Sequence, residues 1–224
     1  MPFNNPLRIS FYSFLITIVI SAAACASAVE MNGSADGSNR GEGKGGNGNA
    51  VVVKKDAVKY EDFLVDINSY STNGGFYQNK YKKDIISIAK DITENQDIDV
   101  SKGSMGFYFD KKSKRTDRLF FGFDIIINKD NNLEYSRFSV KLIQENVTGI
   151  IDEIYKYKFV TSENEVVGVV IGFKWMDAGT NQQVNIWIKK EDIALFLNER
   201  LTANEMFQRG TITNSAGRVI LLPL

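Results

Sequence analysis

Apolar residues recur along residues 51–224 with two different periods, and each change of period marks an expected element. Tyr60, Phe63, Leu64 and Ile67 fall at helical spacing, as do Tyr77, Tyr81, Ile85, Ile88 and Ile92, so two amphipathic helices are expected either side of the Asn73, Gly74, Gly75 break. Lys80, Lys82 and Lys83 flank the second stripe, which would also suit a membrane surface, but core packing is the expected role. The period then falls to two. Phe107 and Phe109 alternate, Lys111 to Asp117 form a turn, and Leu119, Phe121, Phe123, Ile125 and Ile127 share one face of a long strand. Its other face carries Phe120 and Ile126 beside Gly122 and Asp124, which places the strand centrally in a sheet.

After the turn Lys129 to Asn132, Phe138, Val140 and Leu142 alternate with Arg137, Ser139 and Lys141, which predicts a strand with one solvated face. A third helix is expected over Asn146 to Tyr157, burying Val147, Ile150, Ile151 and Ile154, with Asn146 as its cap. A hairpin follows: Val167, Val169, Ile171, Phe173 and Trp175 on one arm, the turn Asp177 to Asn181, then Val184, Ile186 and Ile188 on the other. Gly168 and Gly172 on the opposite face invite close approach of a helix or neighbouring backbone. A fourth helical stretch, Glu191 to Phe207, points Ile193, Phe196, Leu197 and Leu201 inward, and Arg218 to Leu222 reads as a last strand paired with Gly210 to Thr213. The expected fold is α+β, a mainly antiparallel meandering sheet with about four helices against one side.

The first fifty residues break this pattern. Arg8 and the amino terminus supply positive charge, Ile9 to Ile20 form an uncharged apolar run, and Ser21 to Ala24 are small, the three features that export and cleavage machinery read. The single cysteine, Cys25, follows at once. Ala22, Ala23, Ala24 and Cys25 resemble the lipobox of bacterial lipoproteins, in the relaxed form typical of spirochaete members. That resemblance covers residues 1–50 and implies removal of residues 1–24, diacylglycerol on Cys25, and attachment to a cell-envelope membrane, with the outer membrane or cell surface favoured. Cleavage after Ala28 through Ala26, Ser27 and Ala28, or no cleavage at all, remain the competing outcomes. Residues 25–50 hold seven of the eighteen glycines and no apolar period, so they read as a tether with a root-mean-square reach of roughly 25 to 30 Å. The glycine-rich string from Gly41 to Gly45 lacks the strand, hydroxyl residue and helix of a phosphate loop.

Composition narrows the function. Loss of residues 1–24 removes one arginine and no acid, leaving 26 basic against 27 acidic side chains. A near-neutral chain argues against a dedicated nucleic-acid binder. One cysteine forbids an internal disulfide, and the absence of histidine excludes His-based zinc sites and nucleophile–His pairs. No cofactor is expected. Asp130, Asn132 and Glu134 alternate like calcium ligands, but Leu133 stands where the loop bend needs glycine; Asp97 and Asp99 read as solvated acids.

The most distinctive charge feature is Lys111, Lys112, Lys114, Arg115 and Arg118 at a hairpin tip, a candidate contact for an anionic lipid or polymer, although turn lysines also serve simply to keep strand edges soluble. The expected protein is a lipid-anchored envelope binding or assembly module over residues 51–224. The alternatives are an envelope hydrolase using carboxylate, Ser or Lys chemistry, for which no catalytic residue stands out, and a carrier of a lipid or apolar ligand.

Overall fold

In a computed structural model of the chain, which describes residues 58–109, 115–129 and 132–224, the alternating segments build one five-stranded sheet. Strands β1 (Gly106–Phe109), β2 (Leu119–Ile127), β3 (Val166–Asp177), β4 (Thr180–Lys189) and β5 (Thr211–Asn214) lie side by side in chain order. The signal segment, Cys25, the tether, Lys111, Lys112, Lys114 and Asp130 lie outside the described residues. Six α-helices accompany the sheet: α1 (Gly74–Lys80), α2 (Lys82–Asn95), α3 (Tyr135–Ile154), α4 (Phe159–Ser162), α5 (Lys190–Leu197) and α6 (Ala203–Arg209). Among the described residues no helix is long and apolar enough to cross a membrane.

The α+β class is as expected, but the sheet is mixed and the α-helices among the described residues number six rather than four. β1–β2, β3–β4 and β4–β5 run antiparallel, whereas β2 and β3 are parallel. Parallel neighbours cannot be joined by a hairpin and need a long crossover. That crossover is α3 with α4, and it occupies the segment where alternation predicts a strand at Phe138 to Leu142. Phe138 and Leu142 are four residues apart, a spacing that fits a helical stripe equally well, and the stripe continues through Ile143, Val147, Ile150, Ile151 and Ile154, all buried. Ser139, expected to face out, is buried as well. Asn146 therefore sits inside the helix rather than capping it, donating from Nδ2 to the Leu142 carbonyl at 2.8 Å.

The other departures are local. Residues 60–69 form two 3-10 turns, Tyr60–Phe63 and Ile67–Ser69, and the chain at Phe63 and Val65 pairs with Met105: Val65 N–H donates to its carbonyl and Met105 N–H to that of Phe63. Gly74, expected in a break, opens α1, and the long second stripe bends at Tyr81, whose ring stacks on Phe159 at 4.9 Å. The last helical stretch splits at Glu199, held at φ 57°, and a Thr202–Glu205 capping box starts α6; Leu197 is left 40% exposed rather than inward. Arg218 to Ile220 does run beside β5, through Asn214 N–H to the Arg218 carbonyl and Ile220 N–H to the Ile212 carbonyl.

Register explains the core. Phe121, Phe123 and Ile125 lie opposite Val169, Ile171 and Phe173, which in turn lie opposite Ile188, Ile186 and Val184. All nine are buried, and Ile85, Ile88 and Ile92 of α2 with the α3 stripe complete the cluster. Each such side chain contributes about 1.5–3 kcal/mol on burial, so this face dominates stability. A register shift after Leu119 makes Val166, not Val167, the first residue of β3's inward row. The opposite face of the sheet is left for other work.

Candidate functional site

The strand positions that point away from the core fall into rows across the sheet. One row reads Tyr108, Phe120, Gly168, Lys189; the next reads Gly122, Val170, Trp187, Thr211; a third reads Asp124, Gly172, Asn185, Thr213. Phe120, Asp124, Asn185 and Trp187 are half-buried, and Lys189 and Thr211 are exposed. Arg118, just before β2, Arg209, at the end of α6, and the turn Asn214 to Gly217 close the sides. The result is a groove of about 490 Å³ over β4 and β5. That size lies within the range of ordinary small-ligand sites, roughly 300–1,000 Å³.

The glycines predicted to permit close approach do so on this face, though the visitors are side chains as well as backbone. A Cβ on Gly168 would collide with the Ile188 carbonyl and stand 2.7 Å from Phe120 Cε1. The Phe120 ring therefore leans over strand β3 and meets Trp187 edge-to-face at 5.2 Å. Edge-to-face pairing of this kind adds about 0.5–1.5 kcal/mol beyond burial and holds both rings. Over Gly172 the Asp124 carboxylate and the Asn185 amide meet, again in space a Cβ would fill.

From there a polar ladder crosses the sheet. Lys174 Nζ lies 2.7 Å from Asp124 Oδ2; Gln183 Nε2 donates to Asp124 Oδ1 at 3.2 Å and to Asn185 Oδ1 at 2.7 Å. Asn185 Nδ2 donates to Thr213 Oγ1 at 3.3 Å, and Trp187 Nε1 donates to the same oxygen at 3.2 Å. Each rung fixes the orientation of the next, so the groove floor is pre-set before any ligand arrives. Tyr108, at the far end, donates to the Ser104 carbonyl; burial first, then the nearby Asp124 charge, pushes its phenol well above the usual range and keeps it neutral.

The basic tip is redistributed by the fold. Arg115 pairs with Asp117 through two contacts, Nε to Oδ1 at 3.2 Å and an NH2 nitrogen to Oδ2 at 2.8 Å, and the guanidinium holds the Asp117 carboxyl below its ordinary range. Arg118 instead lines the groove. Lys189 and Arg209 join it there, and Arg209 also reaches Asp192 at 3.3 Å. Neither Lys189 nor Arg209 is singled out by the sequence, and neither are Tyr108 and Trp187. Asp97 terminates α2 at φ 52°, and among the described residues no three Asp, Glu or Cys side chains are grouped to hold a metal ion.

No family model, curated protein or solved structure matches the chain. Aromatic faces, neutral amides and hydroxyls, and three cations from separate elements make a surface suited to holding an anionic ligand that also carries apolar and hydrogen-bonding parts.

Proposed function

We propose that the chain is exported, acylated on Cys25 after loss of residues 1–24, and held at a cell-envelope membrane, where residues 51–224 serve as a binding module for an anionic partner. The small residues Ala22 to Ala24 before the lone cysteine support the anchor, and the glycine-rich stretch behind it supports a tether. One observation carries the binding reading: Arg118, Lys189 and Arg209 converge on the groove that holds Tyr108, Phe120 and Trp187. Lys111, Lys112 and Lys114 precede Arg118 in the sequence and remain candidate contacts for the same anionic partner. Anchoring raises the effective concentration of the module near envelope polymers, so a modest intrinsic affinity suffices.

A hydrolase built on carboxylates would present converging acids in its cleft, and a lipid carrier an enclosed apolar chamber. The described groove lining is cationic, amide and aromatic, which favours binding over either alternative. The test is the affinity of residues 51–224 for dextran sulfate at low salt, beside the triple variant Arg118→Gln, Lys189→Gln, Arg209→Gln. At about 0.5 kcal/mol per exposed ion pair, removing three cations weakens binding roughly tenfold, and salt should weaken the parent in the same direction. Equal affinities for parent and variant would show that the groove is not the binding surface.

A further inference from the structure

We infer that the groove accepts an acidic oligosaccharide, a short run of pyranose rings bearing carboxylate or sulfate groups; this rests on reading the groove as the anion-binding surface. Three features of the groove point to that class.

The first is the aromatic floor. Phe120, leaning over Gly168, and Trp187, tied by its indole N–H to Thr213, present fixed rings at the sheet surface. A pyranose has one face formed by its ring C–H groups, which packs against such a ring, while an inorganic anion gains nothing there. The second feature is the set of neutral polar groups beside the rings: Gln183, Asn185, Thr211 and Thr213. Amides and hydroxyls both donate and accept, which matches the dual character of sugar hydroxyls. Thr213 is only 8% exposed and Gln183 and Asn185 are half-buried, so a flat bilayer surface would meet the exposed Lys189 and Thr211 without reaching these three groups.

The third feature is the origin of the charge in separate elements. Arg118 precedes β2, Lys189 ends β4 and Arg209 ends α6. Lys189 stands in the same row as Phe120 with one strand between them, about 10 Å away across the sheet. A single phosphate is held by donors gathered at one nest or helix start. Cations distributed around an aromatic floor instead match charges repeated along an extended chain. The groove opens on the sheet face, so such a chain can cross it without threading a closed pocket.

The decisive experiment titrates the full chain, in a nonionic polyoxyethylene detergent, with four probes followed by calorimetry: a sulfated uronate-bearing tetrasaccharide, a neutral tetrasaccharide, inorganic tripolyphosphate, and phosphatidylglycerol dispersed in micelles of the same detergent. The expected result is binding of the acidic tetrasaccharide at least tenfold tighter than of the neutral one or of tripolyphosphate. Trp187→Ala should lose tenfold or more for the acidic tetrasaccharide, and Lys189→Gln, at an exposed position that leaves packing intact, severalfold. Tripolyphosphate or the phosphatidylglycerol micelles binding as tightly as the acidic sugar would overturn the ligand class while leaving a cationic groove. Failure of every anion to bind would overturn the anion-binding reading itself.

Discussion

Replacing Gly168 with alanine tests the packing that builds the groove. The added methyl must enter space bounded by the Ile188 carbonyl, which belongs to the β3–β4 ladder, and by Phe120 Cε1 at 2.7 Å. The carbonyl cannot retreat without disturbing the strand pairing, so the ring must swing away and part of the strain remains. Overpacking of this kind costs about 1–3 kcal/mol, and losing the edge-to-face contact with Trp187 adds about 0.5–1.5 kcal/mol, for a total near 2–4 kcal/mol. In a domain of this size each kcal/mol moves the midpoint by about 2–4 °C, so thermal unfolding of residues 51–224 followed by circular dichroism should shift down by about 5–15 °C. Gly179→Ala is the comparison. That turn glycine, at φ 79°, has nothing within 4 Å of a Cβ, so alanine there costs only backbone strain of about 1–2 kcal/mol. If Gly168→Ala melts at or above the Gly179→Ala midpoint, the close approach over Gly168 is not what holds Phe120 in place.

Further predictions follow from other parts of the chain. Burial pushes the Tyr70 phenol up to about 12, opposed by the Phe107 N–H it accepts; its folded pKa exceeds the unfolded value near 10, so stability is full below pH 10 and is lost as pH rises toward 12. Melting midpoints should fall across that window and fall less in Tyr70→Phe; an identical slope would contradict the assignment. Residues 51–224 should unfold cooperatively and at the same midpoint with and without a chelator, and loss of the transition on adding EDTA would reveal a structural metal. Clickable palmitate should label the parent protein in cells and not Cys25→Ala; equal labelling of both, or none in either, would remove the anchor.

What the sequence disclosed depended on how many structures its periods allowed. Five alternating apolar positions from Leu119 to Ile127 admit one solution, a strand with a buried face, and the Val184 to Ile188 row admits the same. Phe138 to Leu142 spans too few residues to separate a period of two from 3.6, and only the need to link parallel β2 and β3 decides for helix. That pairing could not be read from either strand, since it depends on which neighbour each meets in space. The groove was hidden for the same reason: β1 gives it two residues, β2 one, β4 four, β5 three and α6 one, and strand register with the placement of α6 brings them together. One trace was present. Trp187 sits on the polar side of β4 with Gln183, Asn185 and Lys189, an aromatic where a solvated strand face needs none.

The chain has two tryptophans, and their placement provides the most direct test of the central claim. Trp187 lines the groove, its indole N–H donating to Thr213, whereas Trp175 is buried in the core beside Tyr135 and Phe138. In a nitrogen–proton correlation spectrum of residues 51–224 titrated with a sulfated oligosaccharide, the Trp187 indole signal should move progressively to saturation while the Trp175 signal stays in place. Both indole signals remaining still while the ligand demonstrably binds would show that the site lies elsewhere on the molecule.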